Sequence, residues 1–152
     1  MTTDIDALAP LVAERARELL DRIVIEQPVS VTSTRRSIDE QLALFAQGRA
    51  PLEIVNLLRQ KAGMRGLLKP ENTYTVTNCD GVTKRSAHQD GRALDIVPLD
   101  GGRPSWDYAK MAEAYRGIGE VAREMGWTCG MDWLPINPVT GLGADPPHFE
   151  LG

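Results

Sequence analysis

Apolar residues recur along the chain in two rhythms, one helical and one alternating. Between Asp6 and Leu20, the positions Leu8, Leu11, Val12, Leu19 and Leu20 repeat at helical spacing opposite Glu14, Arg15, Arg17 and Glu18, which predicts a first helix. After Pro28 the run VSVTST alternates and is β-branched, so Val29 to Thr34 is predicted as a strand delivering Arg35 and Arg36 at its end. Ser37-Ile-Asp-Glu40 has the form of a capping box and opens a helix over Ile38 to Gln47, closed by Gly48. Pro51 begins a further helical stretch, PLEIVNLLRQKAG, with Gly63 beyond its end.

In the second half, Thr73 to Thr77 reads as a strand, Cys79 to Val82 as a turn, and Ala93 to Leu99 as a strand stopped by Asp100-Gly-Gly. A long helix is predicted from Trp106 to Met125, with Tyr108, Met111, Ala112, Tyr115, Ile118, Gly119 and Ala122 on one face. Short strands follow around Trp127 to Cys129 and His148 to Leu151. Helices segregated from short, locally connected strands argue for an α+β fold, a small mainly antiparallel sheet flanked by helices. The 152 residues suit one domain, 1–152, able to bury a core without a metal to staple it.

Composition narrows the function classes. A net charge of -4 and a pI near 5.2 leave no basic footprint for phosphate backbones, so nucleic acid is not expected as a partner. No window approaches the roughly 18 apolar residues of a membrane span, and the N-terminus lacks the basic-then-apolar order of a signal peptide. Synthesis in the cytoplasm, no membrane partner and a monomeric state are expected. Cys79 and Cys129 form no CxxC pair, and free thiols are expected, with a disulfide as the lesser reading.

Candidate chemistry begins in SAHQDGRALD, residues 86–95. In a strand ALDIVP, Leu94 and Ile96 point to one face while Ala93, Asp95 and Val97 point to the other, which sets Asp95 among apolar neighbours. An ionised carboxylate there needs a cation. The chain has two histidines, His88 and His148, and with Asp95 they make the three protein ligands of a catalytic zinc site, the fourth place being left to water. Gly91 allows the sharp turn that would let a loop histidine and a strand aspartate converge.

His148 ends the run Asp145-Pro-Pro-His148, where two prolines favour a polyproline II path that sets Asp145 and His148 on one side of the chain. Asp145 then stands as general base to a water activated by the metal. Glu150, on the strand face of His148, is the rival base. Each residue also has a plainer reading: a hydrogen-bonded histidine, a turn-capping Asp145, a solvated Arg36. Because both imidazoles must be neutral to bind, metal affinity should weaken below about pH 6.

SxHxxGxAxD followed by a carboxylate-x-x-H resembles the LAS-type zinc peptidases, within them the branch of D-alanyl-D-alanine carboxypeptidases and phage L-alanyl-D-glutamate endopeptidases. The resemblance runs from about Ser33 to Leu151 through TSTRRSIDEQLALFAQGR, SAHQDGRALDIVP, GMDW and DPPHFEL. It implies a hedgehog/DD-peptidase-like fold, one zinc ion on His88, Asp95 and His148, and Asp145 as the catalytic carboxylate. An Asp there is the choice of the phage endopeptidases. Arg36 matches the arginine of SGYRS that holds a polarised carbonyl or a substrate carboxylate, with Arg35 in place of the tyrosine and the register between the two open. Ser86 matches the motif serine. Asp132 and Trp133 match the closing DW and would support the pocket, Cys129 would line it, and Trp127, Trp133 and Phe149 are packing residues or substrate platforms.

The function so implied is hydrolysis of an amide in the peptidoglycan stem peptide, with an endolysin-like enzyme cutting L-Ala–D-Glu as the leading form. Release to the wall by phage or prophage lysis would bring it to its substrate. A D-alanyl-D-alanine carboxypeptidase and a non-catalytic zinc-containing wall module are the alternatives.

Overall fold

A computed structural model describes all residues, Met1–Gly152. The first helix, α1, spans Pro10–Ile23 and turns Val12, Ala13, Ala16, Leu19 and Ile23 inward. It begins later than its periodicity predicts because Pro10, which has no N–H to donate, heads the helix, leaving Ile5–Ala7 as a separate 3-10 turn. Strand β1, Val29–Ser33, leads to α2, Ile38–Ala46, and the predicted capping box is present with both Ser37 and Glu40 engaged. Helix α3 covers Leu52–Lys61.

Strand β2, Ala93–Asp100, turns through Gly101 and Gly102 into the short β3, Arg103–Pro104. Helix α4 is Ala112–Glu124, β4 is Thr128–Cys129 and β5 is His148–Glu150. The sheet order is β1-β2-β5-β4, with antiparallel pairing throughout and β3 hooked onto the end of β2. No helix is long and apolar enough to cross a membrane.

One face of the sheet makes the core. Leu94, Ile96 and Phe149 pack against Leu19 of α1 and Tyr115 and Ile118 of α4, all essentially without solvent exposure. Replacing Leu19 by alanine should cost about 2–5 kcal/mol, measured by urea unfolding of the metal-free protein, because a fully enclosed site leaves a cavity.

Two elements depart from their sequence patterns. Thr73–Thr77 is no strand: Lys69–Thr73 is a 3-10 turn and the chain beyond it runs irregularly. The chain that follows is tied to α2 by Gln41, whose Nε2 donates to Thr77 Oγ1 (3.2 Å) and to the Cys79 carbonyl (2.9 Å). The helix predicted from Trp106 starts only at Ala112, since Asp107 closes its own turn, accepting Lys110 N at its side chain (3.1 Å) and Met111 N at its carbonyl (2.8 Å). Trp106 and Tyr108 therefore lie outside the helix and border a cleft.

Candidate metal centre and active site

Asp95 lies on the sheet face opposite the core, as the alternation of β2 requires, and the register sets Ser33 of β1 and His148 of β5 across from it. His88 arrives from a loop held by local hydrogen bonds. Asp80 accepts the backbone N–H groups of Val82, Thr83 and Lys84 at 2.8, 2.8 and 2.9 Å. Gln89 accepts Ser86 N (2.9 Å) and donates to the Gly81 carbonyl (3.0 Å), while Ser86 Oγ accepts His88 N at 3.3 Å. Gly91 has φ +68°, and a Cβ there would lie 2.9 Å from Ala9 N, so its glycine serves both conformation and close approach.

The Asp145–His148 segment differs from the expected polyproline path. It is a turn, closed by His148 N donating to the Asp145 carbonyl at 3.2 Å, and it still brings the two side chains together, with His148 Nδ1 4.0 Å from Asp145 Oδ2. The turn rests on Gly130, whose carbonyl accepts Asp145 N at 3.1 Å. A Cβ at Gly130 would fall 2.2 Å from the Asp145 carbonyl oxygen and 3.0 Å from His148 Cβ, so no other residue fits without moving the motif.

The three expected ligands converge. One ligand atom each from His88, Asp95 and His148 lie within 4.8 Å of one another. His88 Nδ1 stands 2.7 Å from the Thr34 carbonyl, an acceptor only, so that nitrogen carries the hydrogen and Nε2 keeps its lone pair. Nε2 is buried and makes no hydrogen bond, although Asp95 Oδ1 is 3.2 Å away. Two acceptors face each other, which suits a cation between them. His148 Nε2 pairs with Glu150 Oε2 at 2.8 Å, which turns Nδ1 toward Asp95 Oδ1, 3.7 Å away. Two imidazoles and a carboxylate with outer partners on both rings are a donor set that fits zinc.

Glu150 thus meets the imidazole at the nitrogen turned away from Asp95, where it can orient the ring. Replacing it with alanine should weaken metal affinity about 10- to 100-fold in a chelator competition, without removing a ligand.

The charges follow the geometry. Burial pushes the Asp95 carboxyl up, but the adjacent His148 and His88 rings and the Arg36 charge outweigh it and hold the group far below the usual range. Burial likewise opposes protonation of His148, yet Asp95 and Glu150 raise its pKa to about 9. The metal-affinity window expected from sequence therefore moves upward: a proton must leave His148 up to about pH 9, well above pH 6. Asp145 keeps 48% of its side chain exposed at the cleft mouth. Even so, partial loss of hydration and the like charge of Asp95 push its pKa up to about 6, with His148 and Arg36 offsetting part of the shift.

Arg36, not the exposed Arg35, faces the site. Its nitrogens approach Ser33 Oγ (3.4 Å), Gln41 Oε1 (3.4 Å) and Asp95 Oδ2 (3.2 Å), so the guanidinium is paired with Asp95 at the cleft wall. Gln41 and Gln89, which sequence reasoning missed, are both buried and both brace the site's frame; only their burial in three dimensions marks them. Trp133 packs with its ring centroid 5.0 Å from that of His148 and borders the cleft. Asp132 instead turns outward to a two-pronged pair with Arg123, at 2.8 Å for each contact. Cys129 is not pocket lining but core, its thiol pushed up to about 11 by burial, and Trp127 and Phe149 are core as well. Cys79 borders the cleft as a free thiol. The cleft over the cluster measures about 1030 Å³.

Residues 80–151 match the family model of D-alanyl-D-alanine carboxypeptidase. Among solved structures the chain is similar to the L-Ala D-Glu endopeptidase ChiX of Serratia marcescens, at 21% identity over 97% of this chain and 83% of that one, with a TM-score of 0.53. It is similar to the LD-carboxypeptidase LdcB at 16% identity, TM-score 0.57, over 94% of this chain and 58% of that one. For the D,D-pentapeptidase VanY from a VanB-type resistance cassette, in complex with Zn(II), the values are 19%, 0.55, 94% and 71%. No curated protein matches the sequence significantly. The SxHxxGxAxD and DxxH motifs both fall inside the matched segment, and the fold of these peptidases is shared along nearly the whole chain.

Proposed function

We propose that this protein is a zinc peptidase that hydrolyses an amide of the peptidoglycan stem peptide, with the L-Ala–D-Glu bond as its target. The observation that carries the reading is the buried cluster of His88, Asp95 and His148 with Asp145 beside its open side. Zinc, when bound, supplies Lewis acidity that polarises an amide carbonyl and lowers the pKa of a water. The chain's own residues do the rest. Thr34 and Glu150 hold the two imidazoles in the ligating tautomer, and Arg36 keeps Asp95 ionised. Asp145, ionised, takes a proton from the attacking water and returns it to the leaving amine nitrogen as the C–N bond breaks.

An aspartate at 145 supports the endopeptidase form; the matched family's description supports the D-alanyl-D-alanine carboxypeptidase as the second reading. A silent wall-binding module is disfavoured by the base standing next to the cluster. The setting we propose is the wall during phage or prophage lysis. Mass spectrometry of peptidoglycan digested by the zinc-loaded protein tests all of these. New amino-terminal D-Glu marks the first reading and release of D-Ala the second, while unchanged peptides would sink both.

A further inference from the structure

We infer that the Tyr108 hydroxyl is the donor that holds the substrate's carbonyl oxygen in the cleft, a role expected of Arg36 by sequence. The inference rests on the peptidase reading above. Each Arg36 nitrogen already faces Ser33, Gln41 or Asp95, so the guanidinium's fixed direction is toward the ligand Asp95. Tyr108 is placed differently. The separate turn closed by Asp107 lifts it out of α4 and into the cleft wall, in the same cavity as Asp95, Asp145 and His148. Its ring is fixed edge-on against Tyr115 at a centroid distance of 5.2 Å and an interplanar angle of 71°. Tyr115 is itself fully buried, its hydroxyl donating to the Ser105 carbonyl at 2.9 Å. The Tyr108 hydroxyl makes no hydrogen bond within the chain.

A rigid ring with a free donor beside two carboxylates has a use when an amide oxygen gains charge. Such a donor, already in place, costs no reorganisation as the tetrahedral carbon forms. Burial first, then the charges of Asp145 and Asp95, push the phenol up to about 12, so it stays protonated and able to donate wherever Asp145 can serve as base. No proton leaves Tyr108 in this role.

The test is Tyr108→Phe, which keeps the ring and its packing on Tyr115, in the zinc-loaded protein. The expected result is a fall in kcat of about 10²-fold with KM within about threefold. A stem tetrapeptide with a phosphinate in place of the cleaved amide should bind correspondingly more weakly by calorimetry, while zinc content and thermal midpoint match the wild type. A kcat within twofold of wild type overturns the assignment and leaves the peptidase reading intact. A variant that loses activity together with zinc or thermal midpoint also overturns it, since a packing role would do that. If zinc-loaded wild type turns over no stem peptide, the peptidase reading falls and takes this inference with it.

Discussion

Replacing Asp145 by asparagine is expected to lower kcat on peptidoglycan fragments by about 10³-fold while one zinc per chain remains bound. Asp145 stands 4.0 Å from the nearer His148 nitrogen and is not one of the three converging ligands, so its loss should spare the metal. Asparagine keeps the shape of the turn and removes only the ability to take a proton. The same group sets the acid limb of the rate profile. Its pKa of about 6 in the metal-free cleft belongs to a group that must be ionised to act, so activity is present above that pH and lost as pH falls through it. A bound dication favours the ionised form and moves the limb lower. Full activity of Asp145→Asn would end its assignment as base.

Stripping the metal should reverse the pH dependence of stability, and the sign comes from His148. In the metal-free chain its pKa is raised to about 9 from an ordinary value of 6.5, by Asp95 and Glu150 against the opposing effect of burial. Protonated His148 therefore stabilises the fold below about pH 6.5, and that contribution is lost as pH rises through 9. Zinc needs the neutral ring, so its affinity rises over the same interval. Urea midpoints should fall from pH 6.5 to 9 with chelator and hold or rise with zinc in excess. At a free zinc concentration about 1,000 times Kd, the ion adds about 4 kcal/mol. A metal-free midpoint that climbs through this interval would contradict the paired arrangement of Asp95, His148 and Glu150.

Much of this was legible in the linear order of residues. Strand alternation is a property of the backbone, so ALDIVP alone puts Leu94 and Ile96 on the core face and Asp95 on the other, as found. The Ser37–Glu40 capping box is equally local, satisfying donors three residues apart. Where reading failed, partners distant in sequence decided the outcome. Thr73–Thr77 has the composition of a strand, but no strand lies alongside, and Gln41 of α2 holds the Thr77 side chain and the Cys79 carbonyl. The prolines of DPPH were expected to extend the chain, and a turn seated on Gly130 formed instead. Asp132 and Cys129 sit in a motif-like stretch, yet one pairs with Arg123 on the surface and the other enters the core.

The sequence by itself determined the three metal-ligating residue types that converge, the placement of Asp95 off the core and the class of fold, because these depend on residue chemistry and short-range periodicity. Tertiary structure alone decided which nitrogen of each histidine faces the cluster, that Arg36 pairs with Asp95 while Arg35 meets solvent, and that Glu150 pairs with His148 Nε2. Those outcomes turn on hydrogen bonds and ion pairs such as Thr34 to His88 and Arg36 to Asp95, whose partners are 54 and 59 residues apart. No local pattern encodes such a distance; the sheet register does.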